Sequence, residues 1–479
     1  MREAAGFDRK SLGAIRFGTP SRTVFAVGGD DRGMFGTSGV RGPVGEDVTA
    51  ALALDVGRAL VTDGAETVVV GRDARDSGRM LTRALTAGLT ECGADVIDVG
   101  VEATPTVARA VDREGADAGV VVTASHNPAP DNGIKLWRSD GRAFGEERND
   151  RITDIVEAES FALAGHDGIG AVEERDVVAG GDARRRHERA LRESVPLPDD
   201  LSVVVDLGNG VGCVTADALH AAGCDVETLN GQRDGRFPGR PSEPTAANCE
   251  TACEVVAATD ADLGVVHDGD ADRMMAIDER GRFVAGDALL ALFARREAGD
   301  GDRVAVPVDT SLLVADALAD VGAGVTYTPV GDAYVAAEAA KPGVAFGGEP
   351  SGAWIWPERT PCPDGPLAAC VLTALVGAEG SLAALVDDLP DYPIRRDSIR
   401  TGSKRATVER VAELAGEEFD DVSTLDGIRV GTDAGWFLVR ASGTEPLVRI
   451  TAEARDEGDA ADLFETAREL VERAAANLD

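Results

Sequence analysis

Three times along this chain a β-branched apolar run ends in a short loop of Asp, Gly, Asn, Ser or Thr. VVV at 68–70 leads into GRD, VVVD at 203–206 into LGN, and VAVPV at 304–308 into DTS. Runs this apolar read as strands buried on both faces of a sheet. Around the first run, helical and strand patterns alternate. Residues 47–63 and 78–91 carry apolar residues at helical spacing, 95–99 reads as a strand, 106–113 as a helix and 118–122 as a strand. Such alternation predicts a mainly parallel sheet covered by helices. The runs lie roughly 100 to 135 residues apart, which predicts three related α/β domains in series. Past Leu389-Pro390 the pattern changes. Residues 428–430, 435–440 and 448–454 read as short strands joined by Gly turns and 460–475 as a terminal helix, a smaller α+β unit.

The length of 479 residues suits three or four domains. At 43% hydrophobic residues the chain is too apolar to be wholly disordered. Its longest apolar stretch, 367–376, is too short to span a bilayer, and no secretory or lipidation signal stands out. Seven cysteines with no CxxC pair and no zinc-ligand cluster read as reduced thiols of a cytoplasmic protein. The formal charge is −37, with 85 acidic against 48 basic residues, of which only Lys10, Lys135, Lys341 and Lys404 are lysines. The acidity runs along the whole chain. It argues against nucleic-acid binding, which needs a basic face. It fits a protein that stays soluble in high salt, where screening relieves self-repulsion.

Several loops carry residue types that suit chemistry. Thr123-Ala124-Ser125-His126-Asn127-Pro128 follows the strand 119–122, at the strand end where open α/β sheets bind ligands. A serine there can be a nucleophile or carry a phosphoryl group; the same residues also make an ordinary strand-to-turn cap. Ten residues on stands Lys135, a proton donor or acceptor if burial lowers its pKa, or else a solvated surface lysine. Asp268, Asp270 and Asp272 follow the apolar run 263–266 in DGDADR. At i, i+2 and i+4 they share one face of an extended segment, and three such oxygens suit Mg2+. The competing Ca2+ loop, with Glu279 as its twelfth residue, needs Gly at the sixth position, where Arg273 stands. A solvated acidic loop stays open. Arg440, Ser442, Gly443 and Thr444 in RASGTEP, with Arg449 beyond, make a phosphate cradle or a hairpin turn. In GGEPSG (347–352), Glu349 and Ser351 can bind vicinal sugar hydroxyls. Neither this loop nor GTSGVRG (36–42) has the strand–GxGxxG–helix order of a dinucleotide site. Together these parts imply phosphoryl transfer on a phosphosugar.

In order and spacing, the motifs resemble those of the α-D-phosphohexomutases. The match is carried by FGTSGVRG (35–42), TASHNPAPDNGIK (123–135), DGDADR (268–273), GGEPSG (347–352) and RASGTEPLVRI (440–450). FPGR (237–240), TPVGD (328–332) and DGPLAA (364–369) match to a lesser degree. The resemblance implies three related α/β domains with mixed sheets and a smaller C-terminal α+β domain, four domains around a central cleft. It implies that Ser125 is a phosphoserine. Its phosphoryl group passes to one end of a hexose phosphate, and the resulting bisphosphate turns over and returns its other phosphoryl to Ser125. One Mg2+ per chain is implied, bound by the Ser125 phosphate with Asp268, Asp270 and Asp272; hexose 1,6-bisphosphate is the implied activator and intermediate. Lys135 and Arg41 are the implied proton-handling and electrostatic groups, and His126 positions the serine phosphate. Arg273, Gly331, Glu349 and Ser351 are implied substrate contacts. Arg440, Ser442, Gly443, Thr444 and Arg449 would hold the non-reacting phosphate.

Two positions depart from the family pattern: Ala353 stands where many relatives have His, and Ala333 where many have Lys or Arg. The glycine-turn and sugar-loop forms look like archaeal members, so the expected reaction is glucosamine 6-phosphate to glucosamine 1-phosphate. Mannose and glucose phosphates are the alternatives. Readings of another class are a non-catalytic hexose-phosphate binding protein, set back because Ser125, Lys135 and the three aspartates are all intact, and a metal-dependent phosphatase, which shares the serine and metal but does not need a second phosphate cradle. The expected partner is a small phosphosugar, with no nucleic acid and no membrane, in a monomer or homodimer. The expected domains are 34–165, 166–281, 282–388 and 389–479. Residues 1–33 hold six basic and four acidic residues against the acidic remainder and lack clean periodicity. They are expected to lie outside the enzyme, with Met34 as the natural start or the segment as a basic arm.

Overall fold

The three apolar runs become the central strands of three sheets built on one plan. The computed structural model describes residues 34–36, 39–175, 181–360, 362–442 and 446–476. The segment 1–33 lies outside the described residues, as do Gly443 and Thr444 of the expected phosphate cradle. The first unit contains β1 (Val40–Pro43), α1 (Ala50–Thr62), β2 (Thr67–Arg72), α2 (Gly78–Glu91), β3 (Asp95–Val101), α3 (Thr104–Glu114), β4 (Ala118–Val122), β5 (Asp131–Arg138), α4 (Glu146–Glu157) and β6 (Val172–Glu174). α5 (Asp182–Ser194) leads into β7 (Ser202–Asp206), α6 (Cys213–Ala222), β8 (Asp225–Leu229), α7 (Glu250–Ala258), β9 (Leu263–His267) and β10 (Met274–Asp278). Next come α8 (Gly286–Glu297), β11 (Arg303–Pro307), α9 (Leu312–Ala319), β12 (Gly324–Thr328), α10 (Asp332–Ala339), β13 (Val344–Gly348), β14 (Trp354–Ile355), α11 (Gly365–Glu379) and α12 (Leu382–Asp387).

The strand orders are β5-β4-β2-β3, β10-β9-β7-β8 and β14-β13-β11-β12, with β1 and β6 added at the two edges of the first sheet. In each shared four-strand core three strands run parallel and the last in the chain returns antiparallel. β6 lies at the outer edge of the first sheet beside β3. Its three residues are all exposed, so no apolar pattern marks it. The first sheet is covered on both faces. Val68 and Val70 of β2 pack with α1 and α2, whereas Val69 packs with α3, as strand alternation requires. α3 begins two residues before the expected start because Pro105 is tolerated in a first turn. The third unit holds an aromatic cluster: Phe293 stands 5.2 Å from Trp354, and Phe346 4.9 Å from Trp356, centroid to centroid.

The C-terminal unit contains β15 (Ile394–Arg400), α13 (Lys404–Glu418), β16 (Asp421–Ser423), β17 (Ile428–Gly431), β18 (Gly435–Ala441), β19 (Leu447–Ala454) and α14 (Glu457–Ala475). Its sheet is wholly antiparallel, in the order β15-β19-β18-β17-β16. β19 ties it to the third unit, since buried Glu453 accepts from the Leu312 N–H at 2.7 Å and the Ser311 hydroxyl at 2.6 Å. All seven cysteines are free.

The shared plan puts three loops in one topological place. Residues 123–130 join β4 to β5, 268–273 join β9 to β10, and 349–353 join β13 to β14. These loops carry Ser125, the three aspartates and Glu349.

Candidate active site

Ser125 is buried and has φ of +52°, a left-handed conformation that costs a non-glycine residue about 1–2 kcal/mol. Its surroundings hold it there. The Ser125 N–H donates to Thr123 Oγ1 at 2.9 Å, and the Thr123 hydroxyl donates to Asp73 Oδ2 at 2.7 Å. The Ser125 hydroxyl donates to Asp268 Oδ2 at 2.5 Å and lies 3.3 Å from Asp272 Oδ1. A serine of the first unit therefore points into the aspartate loop of the second.

That loop differs from the extended segment expected. Residues 268–272 form a turn with Ala271 at φ +56°. The turn, rather than strand alternation, brings one oxygen of each of Asp268, Asp270 and Asp272 within 4.8 Å of the others. All three residues are buried. Burial, with Asp272 and Asp270 beside it, pushes the Asp268 carboxyl well above its usual range. Burial opposes the charge of Asp270 too, but the Lys135 ammonium and the Thr104 hydroxyl hold that carboxyl below its usual range. Asp270 Oδ1 is buried with no partner among the described residues. Three buried carboxylates with oxygens within 4.8 Å of one another, and one oxygen left without a partner among the described residues, fit a hard divalent cation taking oxygen ligands. Glu279 accepts instead from the Ala383 N–H at 3.0 Å at the start of α12, so the helix-loop-helix Ca2+ reading falls.

Lys135, on β5, bonds Asp270 Oδ2 at 2.9 Å and also Asp272. Burial pulls its pKa down, yet the two carboxylates more than offset this and the net shift is upward. The lowered value anticipated for a proton acceptor is therefore corrected: the ammonium keeps its proton. Arg41 lies on β1 opposite Gly133, and its Nε is buried without a partner among the described residues. Burial, with Arg273, Arg41 and Lys135 nearby, pulls His126 down to about 2, so the imidazole is neutral at neutral pH.

The remaining expected residues follow along a chain of contacts. The Arg273 N–H donates to Asp268 Oδ1 at 3.1 Å, and Arg273 pairs with Ala353 across an isolated bridge. The Glu349 N–H donates to the Ala353 carbonyl at 2.9 Å. Glu349 Oε1 accepts from the Gly331 N–H at 2.7 Å and Oε2 from the Ser351 hydroxyl at 3.1 Å. Burial and Asp332 raise Glu349 to about 7. Beside Gly331, the Val330 N–H donates to Asp426 Oδ2 at 3.0 Å, and Arg440 grips the same carboxylate at 2.7 Å. Arg440 and Arg449 are direct cross-strand partners, so their side chains leave from the same face of the sheet. Ser442 is buried, with its carbonyl bonded by Lys404.

Three contributors escape a reading by motif. Arg75 is fully buried and donates to Asp73 Oδ2 and to the carbonyls of Ser125, Asn127, Pro128 and Asp131 at 2.6–3.0 Å. Four of these five bonds clamp the serine loop and the start of β5 while the fifth holds Asp73, and Phe237 of the second unit covers the guanidinium at 4.9 Å. Thr104 donates to Asp270 Oδ2 at 2.6 Å. Ser242 touches both the serine and aspartate loops. Only the Arg following GRD in GRDAR offered a local sequence signal.

Residues 32–163, 188–281 and 285–392 match the families described as Phosphoglucomutase/phosphomannomutase, alpha/beta/alpha domains I, II and III, and 399–470 matches the C-terminal domain. The chain is 44% identical over 448 residues to a protein of Methanothermobacter thermautotrophicus named "Probable phosphoglucosamine mutase", covering 92% of this chain and 98% of that one. A protein of the same name from Methanopyrus kandleri is 45% identical, with the same coverage. The crystal structure of a phosphoglucomutase/phosphomannomutase family protein from Burkholderia thailandensis superposes with a TM-score of 0.81 at 28% identity, over 91% of this chain and 97% of that one. With four domains matched in order and relatives this similar along nearly the whole chain, the protein belongs to the α-D-phosphohexomutase family.

Proposed function

We propose that this protein interconverts glucosamine 6-phosphate and glucosamine 1-phosphate through a phosphoryl group carried on Ser125. The observation that carries the reading is the buried, left-handed Ser125, whose hydroxyl meets Asp268 at 2.5 Å inside a triad of carboxylates. The choice of sugar rests on the curated relatives named phosphoglucosamine mutase.

Asp268, Asp270 and Asp272, with the Ser125 phosphate, would hold Mg2+, which neutralises charge spreading over the phosphoryl oxygens during transfer. The sugar hydroxyl attacks the phosphorus, the bond to Ser125 Oγ breaks, and hexose 1,6-bisphosphate forms. Turned end for end, it returns its other phosphoryl to Ser125. Lys135, one carboxylate away from Ser125 through Asp272, is a charged proton donor near the leaving oxygen. Arg41 adds positive charge, and neutral His126 is a hydrogen-bonding partner for the phosphate. Arg273, Glu349 and Ser351 hold the sugar beside the Gly331 loop. Arg440 and Arg449, with Ser442, Gly443 and Thr444, take the non-reacting phosphate through charge-assisted hydrogen bonds.

No helix among the described residues is long and apolar enough to cross a membrane. We read the site of action as the cytoplasm and the acid excess as adaptation to high salt. The reading is tested by incubating pure protein and Mg2+ with glucosamine, mannose or glucose 6-phosphate plus a trace of the matching bisphosphate. The specificity constant should be highest for glucosamine phosphate; a much higher value for mannose phosphate would overturn the choice of sugar.

A further inference from the structure

Ser242 lies on the segment between β8 and α7, buried and far in sequence from both loops it touches. Its hydroxyl donates to the carbonyl oxygen of Ser125 at 2.8 Å and accepts the Gly269 N–H at 3.0 Å. The first acceptor belongs to Ser125 itself. The second donor belongs to the peptide that directly follows Asp268. One oxygen atom therefore joins the backbones that carry the two side chains meeting at 2.5 Å. There is no slack in the arrangement: a Cβ on Gly269 would lie 2.7 Å from Ser242 Oγ and 2.9 Å from the Ser125 carbonyl oxygen. The segment bearing Ser242 is itself fixed. Arg240, two residues away, donates to Asp206 Oδ2 and to the His267 carbonyl, each at 2.6 Å, so Ser242 is anchored to the ends of β7 and β9.

We propose that Ser242 is a positioning residue for phosphoryl transfer, which sets the distance of the Ser125 loop from the aspartate loop across the boundary between the first two units. This rests on the phosphoserine reading of Ser125. A hydroxyl that both donates and accepts suits the task, because one of the groups it joins is an acceptor carbonyl and the other a donor N–H.

Ser242→Ala keeps the volume of the site and removes both bonds. Turnover should fall about ten-fold to a hundred-fold, the loss that small misplacements of reacting groups cause. KM for the hexose phosphate should not change, because its anchors lie on other loops. Mn2+ affinity, titrated by calorimetry on the protein without sugar, should weaken about ten-fold, as is usual when support for metal ligands is lost. Ser242→Thr, which keeps the hydroxyl, should recover both. Gly269→Ala, which wedges the loops apart from the other side, should reproduce the defect. A thermal midpoint close to wild type in Ser242→Ala separates positioning from folding. If turnover per folded molecule or Mn2+ affinity stays at the wild-type value in Ser242→Ala, the proposal is wrong. A parallel Ser125→Ala sample separates the two claims. If it is active, the phosphoserine reading has failed; if it is dead while Ser242→Ala is normal, only the role of Ser242 has.

Discussion

Thr104 and Asp270 meet twice across the boundary between the first and second units. The Thr104 N–H donates to the Asp270 carbonyl at 2.9 Å and its hydroxyl to Oδ2 at 2.6 Å, leaving Oδ1 buried and without a partner among the described residues. Thr104→Val keeps the shape and leaves Oδ2 held by Lys135 alone. Mn2+ affinity of the sugar-free protein should fall about ten-fold to a hundred-fold. Unchanged affinity would mean that Oδ1 is not being held for an ion.

Arg440 and Asp270 should fail in different ways. Asp270→Asn removes charge where the phosphoryl group transfers, so turnover should drop at least about a hundred-fold with little change in KM. Arg440→Ala removes an anchor used in ground and transition states alike, so KM should rise about ten-fold or more with turnover largely kept. Steady-state kinetics of both variants check this; the same pattern in both would refute the division of roles.

Arg75→Met takes one donor from each of four carbonyls and the ion-pair partner from buried Asp73. Losing one partner of a buried ion pair costs about 3–5 kcal/mol. A clearly lowered urea midpoint is therefore expected, together with loss of phosphate uptake at Ser125. A midpoint like that of wild type would show that the serine loop does not depend on this clamp.

The parts of the site legible in the sequence are those whose chemistry is local. Ser125, the aspartate triad and Glu349 sit in short loops of distinctive residues after apolar strands, and those strands announce themselves by β-branched composition. Arg75, Thr104 and Ser242 were hidden because, Asp73 beside Arg75 apart, their partners are backbone groups or side chains from 27 to 166 residues away. Nothing near Thr104 in the chain says that its hydroxyl will meet Asp270. The aspartates converge through a turn that alternation does not foresee, and the charge of Lys135 is set by carboxylates of another unit. β6, β15 and β16 were missed for a simpler reason. They are polar, largely exposed edge strands, and without a buried face there is no alternation to read.

Glu349 gives a pH signature. Burial, with Asp332 close by and Arg273 opposing, raises it to about 7. The native carboxyl therefore keeps a proton that the unfolded chain releases at lower pH. Below its unfolded value this contribution to stability is fully present; it is lost as pH rises through about 7. Glu349→Gln cannot ionise, so its thermal midpoint relative to wild type should rise between about pH 5 and about pH 8.5. Ionised Glu349 is also the better acceptor for sugar hydroxyls, so wild-type KM should fall over the same interval and that of Glu349→Gln should not. A pH-independent difference between the two proteins would rule out this titration.

The path of the phosphoryl group tests the central claim most directly. Protein phosphorylated with radiolabel, mapped by mass spectrometry, is mixed with unlabelled glucosamine 6-phosphate for a single turnover. The label should reside on Ser125, pass to glucosamine bisphosphate, and then divide between sugar and enzyme, whereas Ser125→Ala should take up no label and isomerise nothing. Isomerisation that proceeds while the label stays on the protein, or substantial mutase activity in folded Ser125→Ala, would contradict a phosphoserine mechanism.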